Sequence, residues 1–223
     1  METKAFEVVF EDEYLLVVDK RSGLLVLPTP KKETHTLTSL LDDYLKRKKE
    51  RAYPCHRLDR DTSGLIIYAK DTTSQQHIME QFRSRSLRKK YLAIVQGRVV
   101  EPFGLIKGYI KPKQKAEKYA VTKFKVLRRF KKFTILDVEP KTGRTNQIRI
   151  HLESLGHPVV GERKYTVAKR WPVSSKRLCL HSYFLQFYHP FSGDSVILVQ
   201  DLPDDLKTFL NDLGVEFRLR RRF

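Results

Sequence analysis

The sequence predicts an α+β fold in which helices flank a mixed, largely antiparallel sheet. Segments with the pattern of strands outnumber those with the pattern of helices, and short turns join several of the strands. The segments do not alternate strictly between strand and helix, as they would in a parallel sheet. The length of 223 residues suits one domain over 1–223, with a basic tail at 216–223.

The first half of the chain is predicted to contain three strands and two helices. Uninterrupted apolar runs indicate strands at 14–19, 65–69 and 91–96, and a further extended stretch at 24–27. Thr36 can cap a helix whose apolar residues recur at helical spacing through Leu45. Asp71 or Thr72 can cap a second helix that runs to about Phe82.

The second half adds four strands and two helices. Strands are predicted at 121–127 and 133–138, and a hairpin joins 178–187 to 195–199 through the turn at 192–194. Thr145 can cap a helix with Ile148, Leu152 and Leu155 on its apolar face, and Gly156 ends it. A last helix begins near Pro203 and ends at Gly214.

The charge of the chain indicates a polyanionic partner. Lys and Arg number 44 against 26 Asp and Glu, which gives a net charge of +18 and a pI near 9.9. Nucleic acid is the polyanion that this balance favours. The sequence has no apolar run long enough to span a membrane, and its acidic first residues are unlike a secretory or transit peptide. With only Cys55 and Cys179 as thiols, we expect a cytoplasmic protein without disulfides.

The densest basic segment is 107–132, with eleven Lys and Arg and a single acid, Glu117. Basic residues with interleaved aromatic residues suit a surface that follows phosphates and stacks exposed bases. Large apolar side chains are, however, more often buried in the core. Both interpretations are open for the four aromatic residues of the segment and for Phe133, which follows it; the four are Tyr109, Tyr119, Phe124 and Phe130.

Two polar segments could carry chemistry. The first, 53–64, leads into the buried strand at 65–69 and contains Asp59, which neighbouring Arg side chains would keep ionised. An ionised carboxylate can act as a nucleophile or as a base. The alternative is a turn held by local hydrogen bonds. The polar residues of this segment are His56, Arg57, Asp59, Arg60, Asp61, Thr62 and Ser63.

The second segment, 141–157, places polar side chains at the start of a helix, where an anion is favoured. These side chains are Arg144, Asn146, Gln147 and Arg149. If Ile148 faces the core, Arg149 lies about 100° round the helix from it. Arg149 then lies at the edge of the buried stripe and can reach a carboxylate, although an ordinary surface Arg is equally compatible with the pattern.

Four motifs in order resemble the RluA family of RNA pseudouridine synthases. They are HRLDRDTSGL, KKYLAIVQG, KTGRTNQIRIHLESLGHPVVGERKY and LHSYFLQFYHP, and VVDKRSGLLVLP also resembles the opening strand and turn of the family. The resemblance runs from about Tyr14 to Pro203. It implies the pseudouridine synthase fold with a catalytic cleft, and isomerisation of specific uridines in ribosomal or transfer RNA.

The resemblance also implies roles for individual residues. Asp59 corresponds to the catalytic aspartate, and Arg149 to the arginine paired with the aspartate. Tyr91 corresponds to the active-site tyrosine, for which the resemblance implies packing on the target base and leaves open a role as a base. Arg57 corresponds to the arginine that fills the gap left by the flipped nucleotide. The RNA-binding set implied around these residues comprises His56, Arg60, Thr62, Arg144, Asn146, Gln147, Leu180 and His181.

Two features depart from the family pattern. Asn146 stands where the family usually has His, which affects a substrate contact and not the reaction, because Asn also donates and accepts hydrogen bonds. The sequence also contains no S4-like RNA-binding domain, so we expect a stand-alone catalytic domain that recognises RNA through its own basic surface. We expect no cofactor and no metal, and a monomer.

Three other classes of function are alternatives to a pseudouridine synthase. A non-catalytic basic RNA-binding protein of the same fold explains the charge but not the placement of Asp59, Tyr91 and Arg149. A glycoside hydrolase could use Asp59 and Asp61 as a carboxylate pair, although the strong positive charge does not favour a neutral sugar. The sequence from His151 to Glu153 matches half of the zinc deaminase signature, but the P-C-x-x-C half is absent.

Overall fold

The computed structural model describes residues 5–31, 33–111, 116–166 and 171–219. The chain divides into two compact units, one from residues 1–88 with 184–200 and the other from 89–183 with 201–223. The prediction of one domain over 1–223 stays a prediction. No helix among the described residues has the length and apolar character needed to cross a bilayer.

The first unit combines antiparallel strands with two helices. Its elements are β1 (Phe6–Glu11), β2 (Leu15–Lys20), α1 (Leu37–Leu45), a 3₁₀ turn (Lys46–Lys48), β3 (Tyr53–Pro54), β4 (Ser63–Ala69), α2 (Thr72–Arg83) and β10 (Ser195–Val199). Strand β2 pairs with both β1 and β4, while β3 pairs with β4. Strand β10 pairs with β9 (Leu180–Tyr188), whose last five residues belong to this unit.

Burial on both faces explains why β2 and β4 are nearly continuous apolar runs. All seven residues of β4 are buried. On one face, Leu15 and Val17 of β2 pack with Leu65 and Ile67 of β4 and with Ile78 of α2. On the other face, the Tyr68 hydroxyl lies 3.0 Å from the hydroxyl of Thr38 in α1.

The second unit contains four antiparallel strands in the order β5-β8-β7-β6. Its elements are β5 (Arg88–Gln96), β6 (Phe103–Ile110), β7 (Lys118–Arg129), β8 (Phe133–Pro140), α3 (Gln147–Ser154), the first four residues of β9, and α4 (Asp204–Asp212). Strand β5 begins with the last residue of the first unit.

The register of this sheet places Tyr91 and helix α3 on the same face. Tyr91 lies opposite Val138, which lies opposite Phe124. Thr122, two residues from Phe124 on β7, points to that face as well, and its hydroxyl contacts Gln147 and His151 of α3.

Most predicted elements are confirmed, including the caps of the first two helices. The Thr36 side chain accepts a hydrogen bond from Ser39 N at the start of α1, and Asp71 accepts one from Ser74 N at the start of α2. The hairpin turn at 192–194 and the end of the last helix are also confirmed, with Gly193 and Gly214 at positive φ.

Three expectations about local structure were wrong. Asn146, not Thr145, is the N-cap of α3, in the left-handed conformation that Asn tolerates better than most residues. Leu155 lies beyond α3 and is 42% exposed, so it adds nothing to the apolar face. Residues 24–27 form no strand, because the carbonyls of Leu25 and Val26 accept the first N–H groups of α1. Strands β1, β3 and β6 were not predicted from the sequence.

Candidate active site

In the first unit, the turn that carries Asp59 is held against the turn after β2. The side chain of Lys20 is fully buried, and its Nζ donates hydrogen bonds to the carbonyls of Arg21, Leu24 and Arg60 at 2.8–3.0 Å. Gly23 N donates to the Arg60 carbonyl at 2.9 Å, and Arg60 Nε donates to the Gly23 carbonyl at 2.9 Å. The backbone next to Asp59 is therefore fixed by bonds from a second turn.

The other polar residues of this turn differ in exposure. Arg57 and Arg60 are exposed and Asp59 is half-buried, whereas Thr62 is buried. Among the described residues, the Thr62 hydroxyl has no hydrogen-bond partner. His56 Nε2 accepts a bond of 3.0 Å from Ile67 N, which assigns the proton to Nδ1 and makes His56 part of the support for β4.

In the second unit, Arg149 forms a buried two-bond ion pair with Glu162. Arg149 Nε lies 2.6 Å from Glu162 Oε2, and Nη2 lies 2.7 Å from Oε1. The side chains are 8% and 1% exposed. Burial by itself would raise the pKa of Glu162, but the hydrogen bonds from Arg149 and Lys164 N hold that pKa below its ordinary value. Glu162 is therefore ionised at neutral pH and fixes the plane of the guanidinium.

Asn146 and Tyr165 complete the surroundings of Arg149. Asn146 Oδ1 accepts a 3.0 Å bond from Arg149 Nη1, and Asn146 Nδ2 donates a 2.7 Å bond to the Tyr165 hydroxyl. The Tyr165 ring lies 5.3 Å from the guanidinium carbon, within the range of a cation–π contact. Together with Glu162, these contacts engage Nε, Nη1 and Nη2 of Arg149 and hold the guanidinium in one orientation.

Gln147 anchors the start of α3 to the sheet. Its Oε1 accepts bonds from Arg144 N and the Thr142 hydroxyl, and its Nε2 donates to Val121 O and the Thr122 hydroxyl. The exposed Arg144 donates from Nε to the carbonyl of Tyr119 at 3.3 Å. Gln147 therefore makes four hydrogen bonds within the protein. These bonds hold the start of α3, the helix that carries Arg149.

Tyr91, Leu180 and His181 are buried on strands β5 and β9. Tyr91 is 6% exposed. His181 lies 3.1 Å through Nε2 from the carbonyl of Asp201, and burial lowers its pKa to about 3. The His181 ring is thus neutral at neutral pH. A buried, neutral ring in a fixed position is better suited to line a pocket than to bind a phosphate.

The structure brings together part of the predicted site. Arg149 contacts Asn146, and Gln147 contacts Arg144 through the backbone. Asp59 belongs to the first unit, whereas Tyr91 and Arg149 belong to the second. The pairing of Asp59 with Arg149 stays a prediction, as do the catalytic and RNA-binding roles.

Lys20, Glu162 and Tyr165 were not predicted from the sequence as residues of the site. Glu162 and Tyr165 lie in the segment GHPVVGERKY, and the signal that could have found Glu162 was the expected carboxylate partner of Arg149. The residue before Glu162 must be glycine in this conformation, because a Cβ atom at Gly161 would lie 1.9 Å from the carbonyl oxygen of Arg177. Lys20 had no distinguishing signal, since most lysines are exposed.

The half-signature of a zinc deaminase has a structural explanation. His151 Nδ1 lies 2.8 Å from the Thr122 hydroxyl, and burial lowers the pKa of the ring. Within the described ranges, no group of three or more His, Cys, Asp or Glu residues is arranged to hold a metal ion. His151 is thus accounted for as a buried contact between α3 and β7.

Comparison with known proteins identifies the family. A family model described as RNA pseudouridylate synthase matches residues 14–154, which is more than half of the chain. The chain belongs to the RNA pseudouridine synthase family. The dual-specificity RNA pseudouridine synthase RluA of Haemophilus influenzae is 35% identical over 204 residues, which cover 85% of this chain and 90% of that protein.

Other members of the RNA pseudouridine synthase family are also similar to this chain in sequence or in structure. The ribosomal large subunit pseudouridine synthase D of Nitrosomonas europaea is 34% identical over 221 residues, covering 92% of this chain and 64% of that protein. The solved structure of human RNA pseudouridylate synthase domain containing 4 aligns with a TM-score of 0.80 at 25% identity, covering 94% of each chain. The α+β pseudouridine synthase fold expected from the sequence is therefore confirmed.

Replacing Lys20 tests whether its three hydrogen bonds hold the Asp59 turn. Lys20→Met leaves three carbonyls without this donor, so we expect the free energy of unfolding to fall by about 3 kcal/mol. Denaturation in urea followed by circular dichroism measures the change. Arg21→Met is the matched control, because the neighbouring Arg21 side chain is exposed and we expect a change below about 0.5 kcal/mol. Equal losses in the two variants would contradict the role of Lys20.

Replacing Glu162 tests the buried ion pair through its pH dependence. At pH 7, Glu162→Gln removes the buried carboxylate that binds Arg149 through two hydrogen bonds, and we expect a loss of about 3 kcal/mol in the free energy of unfolding. Because the pKa of Glu162 is lowered on folding, its stabilisation is present above its ordinary pKa of 4.5 and is lost as the pH falls through the lowered value.

The measured quantity is the difference in stability between wild type and Glu162→Gln across acidic and neutral pH. We expect this difference to shrink below about pH 4.5, with Glu101→Gln, an exposed acid of the same unit, as the control. A difference that does not change with pH would show that Glu162 acts through its shape and not through its charge.

Proposed function

We propose that this protein isomerises specific uridines to pseudouridine in structured RNA, with Asp59 as the catalytic carboxylate. The observation that carries the proposal is membership of the RNA pseudouridine synthase family. The motifs HRLD at 56–59, KKYLA at 89–93 and NQIR at 146–149 support it. Relatives carry the names of a dual-specificity and a ribosomal large subunit synthase, so ribosomal and transfer RNA are the proposed substrates.

The reaction breaks the bond between the ribose C1′ and N1 of uracil, turns the base, and joins C1′ to C5. The proton on C5 leaves and N1 gains a proton, so the atoms balance without an oxidant or a reductant. The target nucleotide must leave its stack to be reached. The detached uracil must stay in the pocket, which requires that water be excluded.

Each proposed catalytic residue has a task that its side chain suits. Asp59 attacks the sugar or the ring, or removes a sugar proton, and it must be ionised to do so. We propose that Arg149 pairs with Asp59 and keeps it ionised. The Glu162 carboxylate, Asn146 and Tyr165 support this role because they hold the guanidinium in one orientation. Tyr91 is proposed to pack on the target base.

RNA contacts are proposed for residues of both units. Arg57 would fill the gap left by the flipped nucleotide, and the exposed Arg60 and Arg144 would meet phosphates. His56, Thr62, Asn146, Gln147, Leu180 and His181 are buried or half-buried, so for them the proposal is to shape the site. The proposed enzyme acts as a monomer in the cytoplasm and without a metal or cofactor.

Release of tritium from RNA labelled at C5 of uridine tests the reaction, because joining C1′ to C5 expels that hydrogen. Ribosomal and transfer RNA that lack the modification are assayed separately. We expect release by wild type from at least one pool and none by Asp59→Asn, since the amide cannot replace the carboxylate.

Asp61→Asn is the matched control, because Asp61 is exposed on the same turn and no role is proposed for it. We expect it to keep most of the activity. No release by wild type from either pool, with RNA binding intact, would contradict the proposed isomerisation and favour a non-catalytic RNA-binding protein. Equal loss in the two Asp variants would favour a carboxylate pair.

A further inference from the structure

Strands β6 and β7 form a hairpin with one exposed side, which we call the outer face. Side chains alternate along β6, so Phe103, Leu105, Lys107 and Tyr109 share one side, and these four residues are exposed. The register places Lys125, Lys123, Val121 and Tyr119 opposite them on β7. Together these eight residues define the outer face.

The outer face lies on the side of the sheet opposite Tyr91 and α3. Phe124 points to the side of Tyr91, and Thr122 on that side contacts α3. Lys123 and Lys125 alternate with these two residues and therefore point away from them. Strand β7 thus directs Phe124 to the buried side of the sheet and Tyr119 to the outer face.

Two of the four aromatic residues in the basic segment at 107–132 are surface residues. Tyr109 is 69% and Tyr119 is 45% exposed, whereas Phe124 and Phe133 are buried. The rings of Tyr109 and Tyr119 meet edge to face, with centroids 5.3 Å apart. Phe103 and Leu105 add large apolar side chains that are 68% and 51% exposed. Large apolar and aromatic side chains exposed together on one side of a hairpin indicate an interaction site.

The charge on the outer face selects an anionic partner. Strands β6 and β7 contain no Asp or Glu. No ion pair joins a carboxylate of the described residues to Lys107, Lys123 or Lys125, and the two carboxylates opposite Lys123 and Lys125 in register contact other groups. These are Asp137, which contacts Lys90 and the Tyr183 hydroxyl, and Glu139, which contacts Lys141.

The combination of lysines with exposed rings favours unpaired RNA over other partners. Exposed aromatic residues stack on bases that have left a helix, and lysines contact the phosphates between those bases. A regular duplex offers phosphates but no base faces to the rings. A second copy of the chain would bring lysine rows together and repel, because a two-fold interface joins identical patches.

We infer that the outer face binds an unpaired segment of the substrate RNA, separate from the segment that presents the target uridine. This inference rests on the proposed function, in which the substrate is RNA. Strand β6 pairs only with β7 among the described strands, so RNA can pass round this edge from the side of Tyr91 to the outer face. The preferred substrate then carries unpaired nucleotides beside its target structure.

The first test uses a fluorescein-labelled single strand of adenosine and cytidine, which contains no uridine to modify. Anisotropy gives its affinity for wild type and for the double variant Tyr109→Ala with Tyr119→Ala. We expect a loss of about tenfold or more for the single strand and little change for a duplex of equal length. Tyr188→Ala, which removes a 51% exposed tyrosine of the first unit, is the matched control.

A second test separates the charges of the outer face from the total charge of the chain. Lys123→Gln with Lys125→Gln should reduce the slope of log K against log salt by more than Lys131→Gln with Lys132→Gln. The second pair lies in the exposed turn before β8 and removes the same charge. Circular dichroism of all variants establishes that they are folded.

The outcomes distinguish this inference from the proposed reaction. If the inference holds, the tyrosine variant raises KM for an RNA with unpaired flanks, leaves kcat unchanged, and has no effect on the same RNA without flanks. Single-strand affinity equal to that of wild type would overturn the inference even if tritium release continues. Equal losses in the tyrosine variant and in Tyr188→Ala would also overturn it.

Discussion

The buried ion pair between Arg149 and Glu162 is the constraint on which the arrangement of the second unit depends. Removing two charges from water is costly, and hydrophobic residues of similar volume often give equal or greater stability. We therefore interpret the pair as a positioning device for the guanidinium. Here the pair fixes one guanidinium against the start of α3, and Asn146 and Tyr165 limit its remaining freedom. A guanidinium held in one orientation is suited to keeping a neighbouring carboxylate ionised, which is the role proposed for Arg149 towards Asp59.

In the first unit, the Asp59 turn is held by hydrogen bonds to backbone carbonyls. A buried lysine holds the turn that carries Asp59, through backbone carbonyls and not through a carboxylate. The two turns that it joins also exchange bonds between Gly23 and Arg60. The backbone next to Asp59 is thus defined by residues distant in sequence, so substitutions in either turn are expected to affect the site.

Sequence patterns predicted most elements because periodicity and capping act locally, as Thr36 and Asp71 illustrate. Strand β6 escaped prediction because its two glycines and its exposed alternate residues weaken the apolar pattern. The helical position of Arg149 was compatible with a carboxylate partner and equally with a surface arginine. Glu162 could not be chosen as a partner because it lies thirteen residues away in an irregular segment. The aromatic residues of 107–132 could not be assigned to core or surface until the register of β7 was known.

A double-mutant cycle on Arg149 and Glu162, read as the single-turnover rate of tritium release from C5-labelled RNA, tests this account most directly. The variants are Arg149→Met, Glu162→Gln and the pair together, each checked for folding and for RNA affinity. If Glu162 acts through Arg149, each single variant is slow and the double variant is about as slow as Arg149→Met alone. Losses that multiply in the double variant, or a Glu162→Gln enzyme that reacts at the wild-type rate, would contradict the account.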